Sequence, residues 1–117
     1  MTALTIFEVS VQEEWERRKP CRFYDIPHAC CCYAVFDGDK CLYVGRTEDL
    51  YNRMRYQHRI DTGVLAGICE VGPDAELFYV EHVPCYLPHM ETLLIGLLKP
   101  VHNRTVGLRQ RTGRLGR

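Results

Sequence analysis

The sequence predicts an α+β domain, with a small mixed central β-sheet flanked by helices. Three observations predict it. Two β-prone runs, 31–36 and 41–44, are joined by Asp37-Gly38-Asp39, the composition of a hairpin turn. A third run, 76–82, alternates polar and apolar residues as a half-buried strand does. Two further stretches, 48–58 and 88–98, carry helix-start signals and apolar residues at helical spacing.

Taken in order, residues 3–11 hold Leu4, Ile6, Val9 and Val11 and suit a first strand. Residues 13–19 read as a short charged helix ended by Pro20, and 21–28 as a connector between two prolines. Residues 1–30 are therefore an expected N-terminal extension to a domain spanning 31–105, with a basic tail over 106–117. After the hairpin, Thr47 is a good helix N-cap, and Glu48 and Asp49 fall in the first turn, where the helix dipole favours acids. The helix should run to Gln57 or His58, with Leu50 and Met54 on its buried stripe. Asp61-Thr62-Gly63 breaks it. Residues 64–71 are apolar and fit helix or strand equally. Gly72-Pro73-Asp74 is a turn, and the third sheet strand follows. Pro88 suits the first turn of a helix reaching Leu98, with Leu94, Ile95 and Leu98 on its buried face. Pro100 ends it, and residues 101–105 cross back toward the sheet. The expected order is β-α-β-β-α-β-α.

A chain of 117 residues is enough for one domain with its own core. The longest apolar run, 93–98, is far too short to span a bilayer, so no membrane partner is expected. Glu8 falls where a signal peptide stays apolar, which points to an intracellular, cytoplasmic protein. The seven cysteines are odd in number, and Cys30, Cys31 and Cys32 are consecutive. Neighbours on a strand face opposite ways, so these three cannot share one disulfide framework. Reduced thiols acting as small apolar groups explain them best. A zinc site built from Cys21, His28, Cys30, Cys32 and Cys41 is the sharper alternative, although the paired short spacings of structural zinc sites are missing. Formal charge is zero but unevenly spread. Residues 1–91 hold nine Lys or Arg against fifteen Asp or Glu, whereas 92–117 hold six basic residues and no acid. That tail is either a phosphate-contacting segment or simply a solvated end.

Five elements carry chemistry. Tyr33 and Tyr43 stand ten residues apart on the two strands of the hairpin, the second within Tyr43-Val44-Gly45. Arg53 follows on the next helix, Glu91 lies on the last long helix, and Asn103 comes twelve residues later. Alone, each has an ordinary explanation. Strand tyrosines often pack half-buried, Arg53 could pair with Asp49 one turn back, and Glu91 could merely favour a helix N-terminus. In this order and spacing, the series resembles the GIY-YIG nuclease family. Cys31-Cys32-Tyr33 matches its Gly-Ile-Tyr element, and Tyr43-Val44-Gly45 its Tyr-Ile-Gly element. Leu50-x-x-Arg53 matches the arginine helix. Met90-Glu91-x-x-Leu94-Ile95, with Lys99-Pro100-x-x-Asn103, matches the metal-ligand helix and its closing asparagine. The match covers residues 31–103.

The resemblance implies a metal-dependent endonuclease that hydrolyses DNA phosphodiesters. Glu91 would hold Mg²⁺, or Mn²⁺, since a hard cation that keeps several waters needs few protein oxygens. Arg53 would grip a non-bridging phosphate oxygen, and its rigid fork suits this better than lysine would. A tyrosine of the two motifs would act as general base, with Tyr43 favoured and Tyr33 orienting. A phenol titrates near ~10, so a nearby cation would have to lower it. Asn103 would hold the end of the last helix against the site. Gly45, Arg46, Arg55, Lys99 and Arg104 are expected on the DNA side. The family serves DNA repair, recombination, restriction and homing, usually with added domains that choose the substrate, so a protein partner supplying targeting is expected as well. Two departures stand out. Cys31 and Cys32 replace Gly and Ile. The His or Tyr usually found four residues after the arginine is Gln57 here, flanked by Tyr56 and His58. His58 at spacing five serves the site only if the helix ends early, and otherwise caps the helix. A DNA-binding module with the same fold and no turnover is the rival function.

Overall fold

The hairpin forms where expected. In the computed structural model, which describes residues 6–103, β2 (Cys31–Asp37) and β3 (Lys40–Thr47) pair antiparallel around Gly38. Gly38 adopts φ +63°, the left-handed conformation that a tight hairpin needs and that glycine takes without strain. β6 (Ala75–Glu81) pairs with the other side of β2. β2 is thus flanked on both sides, and its first five residues are buried. β1 (Lys19–Cys21) adds to β6 and completes a four-stranded sheet of order β1-β6-β2-β3. The α+β class stands as read from the sequence. Every described strand pair is antiparallel, so the sheet is not mixed.

Alternation along β2 divides the core. Cys31, Tyr33 and Val35 pack with Leu50, Met54, Ile60, Leu65 and Leu77 on one face. Cys32 and Ala34 pack with Val11, Trp15, Leu87, Met90 and Leu94 on the other. The first face is covered by α2 (Leu50–Asn52), which continues as a π turn over Arg53–Gln57, and then by a small ladder of β4 (Val64–Leu65) and β5 (Cys69–Glu70). The second face is covered by α1 (Ile6–Glu16) and α3 (Leu87–Leu98), and α3 lies mainly against β3.

Several expectations at the N-terminal end are overturned. The strand expected over 3–11 is helical from Ile6, and α1 ends at Glu16, well before Pro20. Val11 and Trp15, one helical turn apart, are both buried against α3 and the sheet, and that spacing wins over the alternation of Val9 and Val11. Pro20 lies within edge strand β1, opposite Phe78. Residues 19–21 therefore belong to the sheet. The cap of α2 also shifts by two residues. Asp49 is the N-cap and accepts the Asn52 N–H at 3.2 Å, while the Thr47 hydroxyl accepts the Asp49 N–H at 3.0 Å. The ambiguous stretch 64–71 holds the two-stranded ladder. After α3, Val101 and His102 donate backbone N–H groups to the Cys41 and Leu42 carbonyls of β3, the return to the sheet expected for 101–105 as far as the described residues go.

The thiols behave as apolar side chains. Cys31, Cys32 and Cys41 are buried, and all seven cysteines are free. Burial pushes the Cys32 thiol up to about 12 and the Cys41 thiol up to about 11, so both stay protonated at neutral pH. Cys31 and Cys32 face opposite sides of the sheet. No group of three His, Cys, Asp or Glu among the described residues is arranged to surround a metal ion. No helix among them is long and apolar enough to cross a membrane.

Candidate active site

Tyr33 and Tyr43 project from the same face of adjacent strands. In the register, Tyr33 sits opposite Gly45 and Tyr43 opposite Val35. The Tyr33 ring passes directly over Gly45. A Cβ built there would overlap the Tyr33 hydroxyl and come within 2.9 Å of Tyr43 Cε2. Gly45 thus acts by yielding space, and the glycine of Tyr43-Val44-Gly45 has a steric reason. The two phenol rings lie 6.2 Å apart between centroids.

His58 closes this group from the end of α2. Its Nε2 is 2.9 Å from the Tyr33 hydroxyl, and its ring lies 5.7 Å from that of Tyr43. In an α-helix, residues five apart point about 140° away from each other. Here the turn is closed by an i→i+5 bond, His58 N–H to the Arg53 carbonyl at 2.8 Å, which takes in one extra residue and swings His58 back toward the face of Arg53. Gln57 and Tyr56 remain exposed outside the site, Tyr56 at 69%. Of the three, His58 is the one that lies beside the two tyrosines.

The His58 ring shares one hydrogen bond with the Tyr33 hydroxyl, whose donor and acceptor are set by the imidazole tautomer. Burial, and then the Arg53 charge, lower the His58 pKa from 6.5 to about 4, so it is neutral at physiological pH. Tyr33 is fully enclosed, and burial followed by Tyr43 pushes its hydroxyl well above the usual phenol range. Tyr43 is half-buried and raised by burial and then by Glu91, with Arg53 pulling the other way. The lowered phenol anticipated from the sequence is therefore absent in the free protein. Arg53 does not outweigh burial.

Arg53 emerges at the start of the π turn, and its Nε is buried without a hydrogen-bond partner. The salt bridge to Asp49 that would explain it away does not form. The Asp49 carboxylate is held by His28 Nδ1 at 3.0 and 3.1 Å and by Asn52 Nδ2 at 2.9 Å. A buried guanidinium N–H left unpaired costs roughly 1–3 kcal/mol or more, and a ligand oxygen would recover that.

Glu91, on the first half of α3, is mostly buried. Burial raises its pKa, while Arg46 and Arg53 lower it. Its nearest cation is Arg46, whose Nε is 3.8 Å from Oε1, a long and half-exposed contact of small energetic value. Arg46 and Arg53 also line a cavity of about 310 Å³ between the end of β3 and the start of α3, with Thr47, Glu48, Pro84, Leu87 and Pro88. Glu48 and Pro88 were expected only as helix-end residues. Nothing in their local sequence signals that the two helix starts face one another.

Asn103 lies apart from this group. Its Oδ1 accepts the Val44 N–H at 2.6 Å, and its Nδ2 donates to the Val44 carbonyl at 2.7 Å, pinning the chain after α3 to β3 between Tyr43 and Gly45. Among the described residues its side chain bonds none of Tyr33, Tyr43, Arg53, His58 or Glu91, and it anchors the chain after α3. Arg55 points away from the group, stacked 5.8 Å over the Tyr51 ring. Lys99 caps the far end of α3 in a left-handed conformation, about 12 Å along the axis from Glu91. Arg104 and the tail 106–117 lie outside the described residues. Comparison with family models, curated proteins and solved structures finds no match to this chain.

Proposed function

We propose that the chain is a metal-dependent endonuclease that hydrolyses DNA phosphodiesters at this site. The observation that carries the reading is the buried, unpartnered Arg53 Nε beside two phenols, a neutral histidine and a carboxylate from four different parts of the chain. A guanidinium without a carboxylate partner suits an anion supplied from outside, and its fork matches the oxygens of a phosphate. Tyr43, the half-buried phenol, is the one within reach of water and serves as general base. Tyr33, enclosed and bonded to His58, holds the base side of the site in place. Glu91 is the oxygen donor for Mg²⁺ or Mn²⁺. It suits the role because it carries no tight salt bridge and because one carboxylate suffices for a cation that keeps its water. When bound there, the cation supplies positive charge toward the phosphate and cancels the upward pull of Glu91 on Tyr43.

Nicking of supercoiled plasmid, with Mg²⁺ and with chelator, tests this. Wild type should nick only with the metal. Arg53→Ala and Glu91→Gln should each lose about a hundredfold or more in rate. Full activity in Glu91→Gln would overturn the assignment. DNA binding with no cleavage under any metal would establish the binding-module alternative instead.

A further inference from the structure

The outer face of α2 and the loop before β2 carry an aromatic and basic surface that the cleavage site does not use. Tyr24 is 75% exposed and Tyr56 is 69% exposed. Arg55 links them. It lines a cavity of about 380 Å³ together with Tyr24, Phe23 and Asp61, and its guanidinium lies 5.8 Å over Tyr51, whose ring is 6.1 Å from that of Tyr56. Charge marks the same stretch. Arg55 and Arg59 are exposed there and residues 50–60 hold no acid, within a segment, 1–91, where acids outnumber bases fifteen to nine.

We propose that this face binds an unpaired DNA strand, with one base seated in the cavity beside Tyr24 and a neighbouring base stacked on Tyr56. Exposed aromatic faces interleaved with arginine suit unstacked bases, because each base offers a π surface and each nucleotide a phosphate. A paired duplex offers neither free base faces nor a base that can enter a cavity. Asp61 in the lining can accept only from a donor, which matches the amino or imino edge of a base and rejects phosphate. The proposal rests on the DNA-cleaving reading and deepens it, since Arg55 and Arg53 are two residues apart on one turn. Its substrate would be DNA with a single-stranded portion next to the scissile bond.

The test is fluorescence anisotropy of a labelled single-stranded oligonucleotide and of a duplex of equal length, in chelator so that no cleavage intervenes. The single strand should bind more tightly than the duplex. Tyr24→Ala and Tyr56→Ala should each weaken it about tenfold, Tyr56→Phe should restore binding, and Arg55→Ala should also flatten the salt dependence. All three positions are exposed, so unchanged thermal melting shows that the fold is intact. Tighter duplex binding, no single-strand binding, or unaltered affinity in both alanine variants would overturn the proposal. Because the readout is metal-free binding, loss of this face would leave plasmid nicking as a separate result. Failure of nicking with the tyrosine dependence preserved would refute only the nuclease reading.

Discussion

His58 should make the protein acid-sensitive, and the size of the effect follows from its environment. A free histidine titrates at 6.5 and buried His58 at about 4. Between those values the unfolded chain carries a proton that the folded chain does not, so stability falls as pH falls. The contribution is fully present above about 6.5 and is lost progressively toward about 4. The slope is about 1.4 kcal/mol per pH unit, and the loss is about 2 kcal/mol between pH ~7 and pH ~5. Glu91 acts in the opposite direction. Its raised pKa means that its share of stability is present at low pH and lost as pH rises through its folded value. The comparison must therefore isolate His58. Urea unfolding of wild type and His58→Gln at about pH 7 and about pH 5 does so, because glutamine cannot titrate but keeps a polar group facing Tyr33. Wild type should lose about 2 kcal/mol more than the variant over that interval. Parallel losses in the two proteins would refute the neutral, buried histidine and with it the Tyr33–His58 hydrogen bond as drawn.

Three other outcomes are expected. Gly45→Ala should displace the Tyr33 ring and cost about 1–3 kcal/mol in urea unfolding, with nicking lost in the fraction that folds. Asn103→Ala leaves the buried Val44 N–H and carbonyl without a partner and should cost about 1–3 kcal/mol by the same measurement, while the pH profile of any remaining nicking keeps its shape. A thiol reagent should modify exposed Cys85 quickly and reach Cys31, Cys32 and Cys41 only on unfolding. Fast labelling of those three in the native protein would contradict their burial.

Local signals carried the parts of the fold that depend on neighbours in sequence. Asp37-Gly38-Asp39 marked the hairpin, Leu50 and Met54 the stripe of α2, and Pro88 the start region of α3. The first helix was missed because Val9 and Val11 alternate like a strand, although Val11 and Trp15 already stood one helical turn apart. At the site, the tyrosines, Arg53 and Glu91 were legible from spacing through the family resemblance. The placing of His58 beside Tyr33 stayed open between site and helix cap, because the π turn that brings it round is set by tertiary packing and has no local propensity of its own. The pairing of Arg46 with Glu91 was equally hidden, since it joins the edge strand to a helix that starts forty residues later. That Arg55 and Lys99 lie away from the two tyrosines was hidden as well, since charge does not say which way a helix turns a side chain.

Both outer strands of the sheet are guarded against adding a further chain. On one side, Lys19 and Pro20 present a charge and a residue with no N–H, which interrupts any continuous ladder. On the other, the segment 101–103 occupies the rim of β3 through the carbonyls of Cys41 and Leu42 and both backbone groups of Val44. Both edges thus lack the free run of backbone groups on which a further strand could add. Removing Asn103 would therefore also open a seam along which copies could zip together.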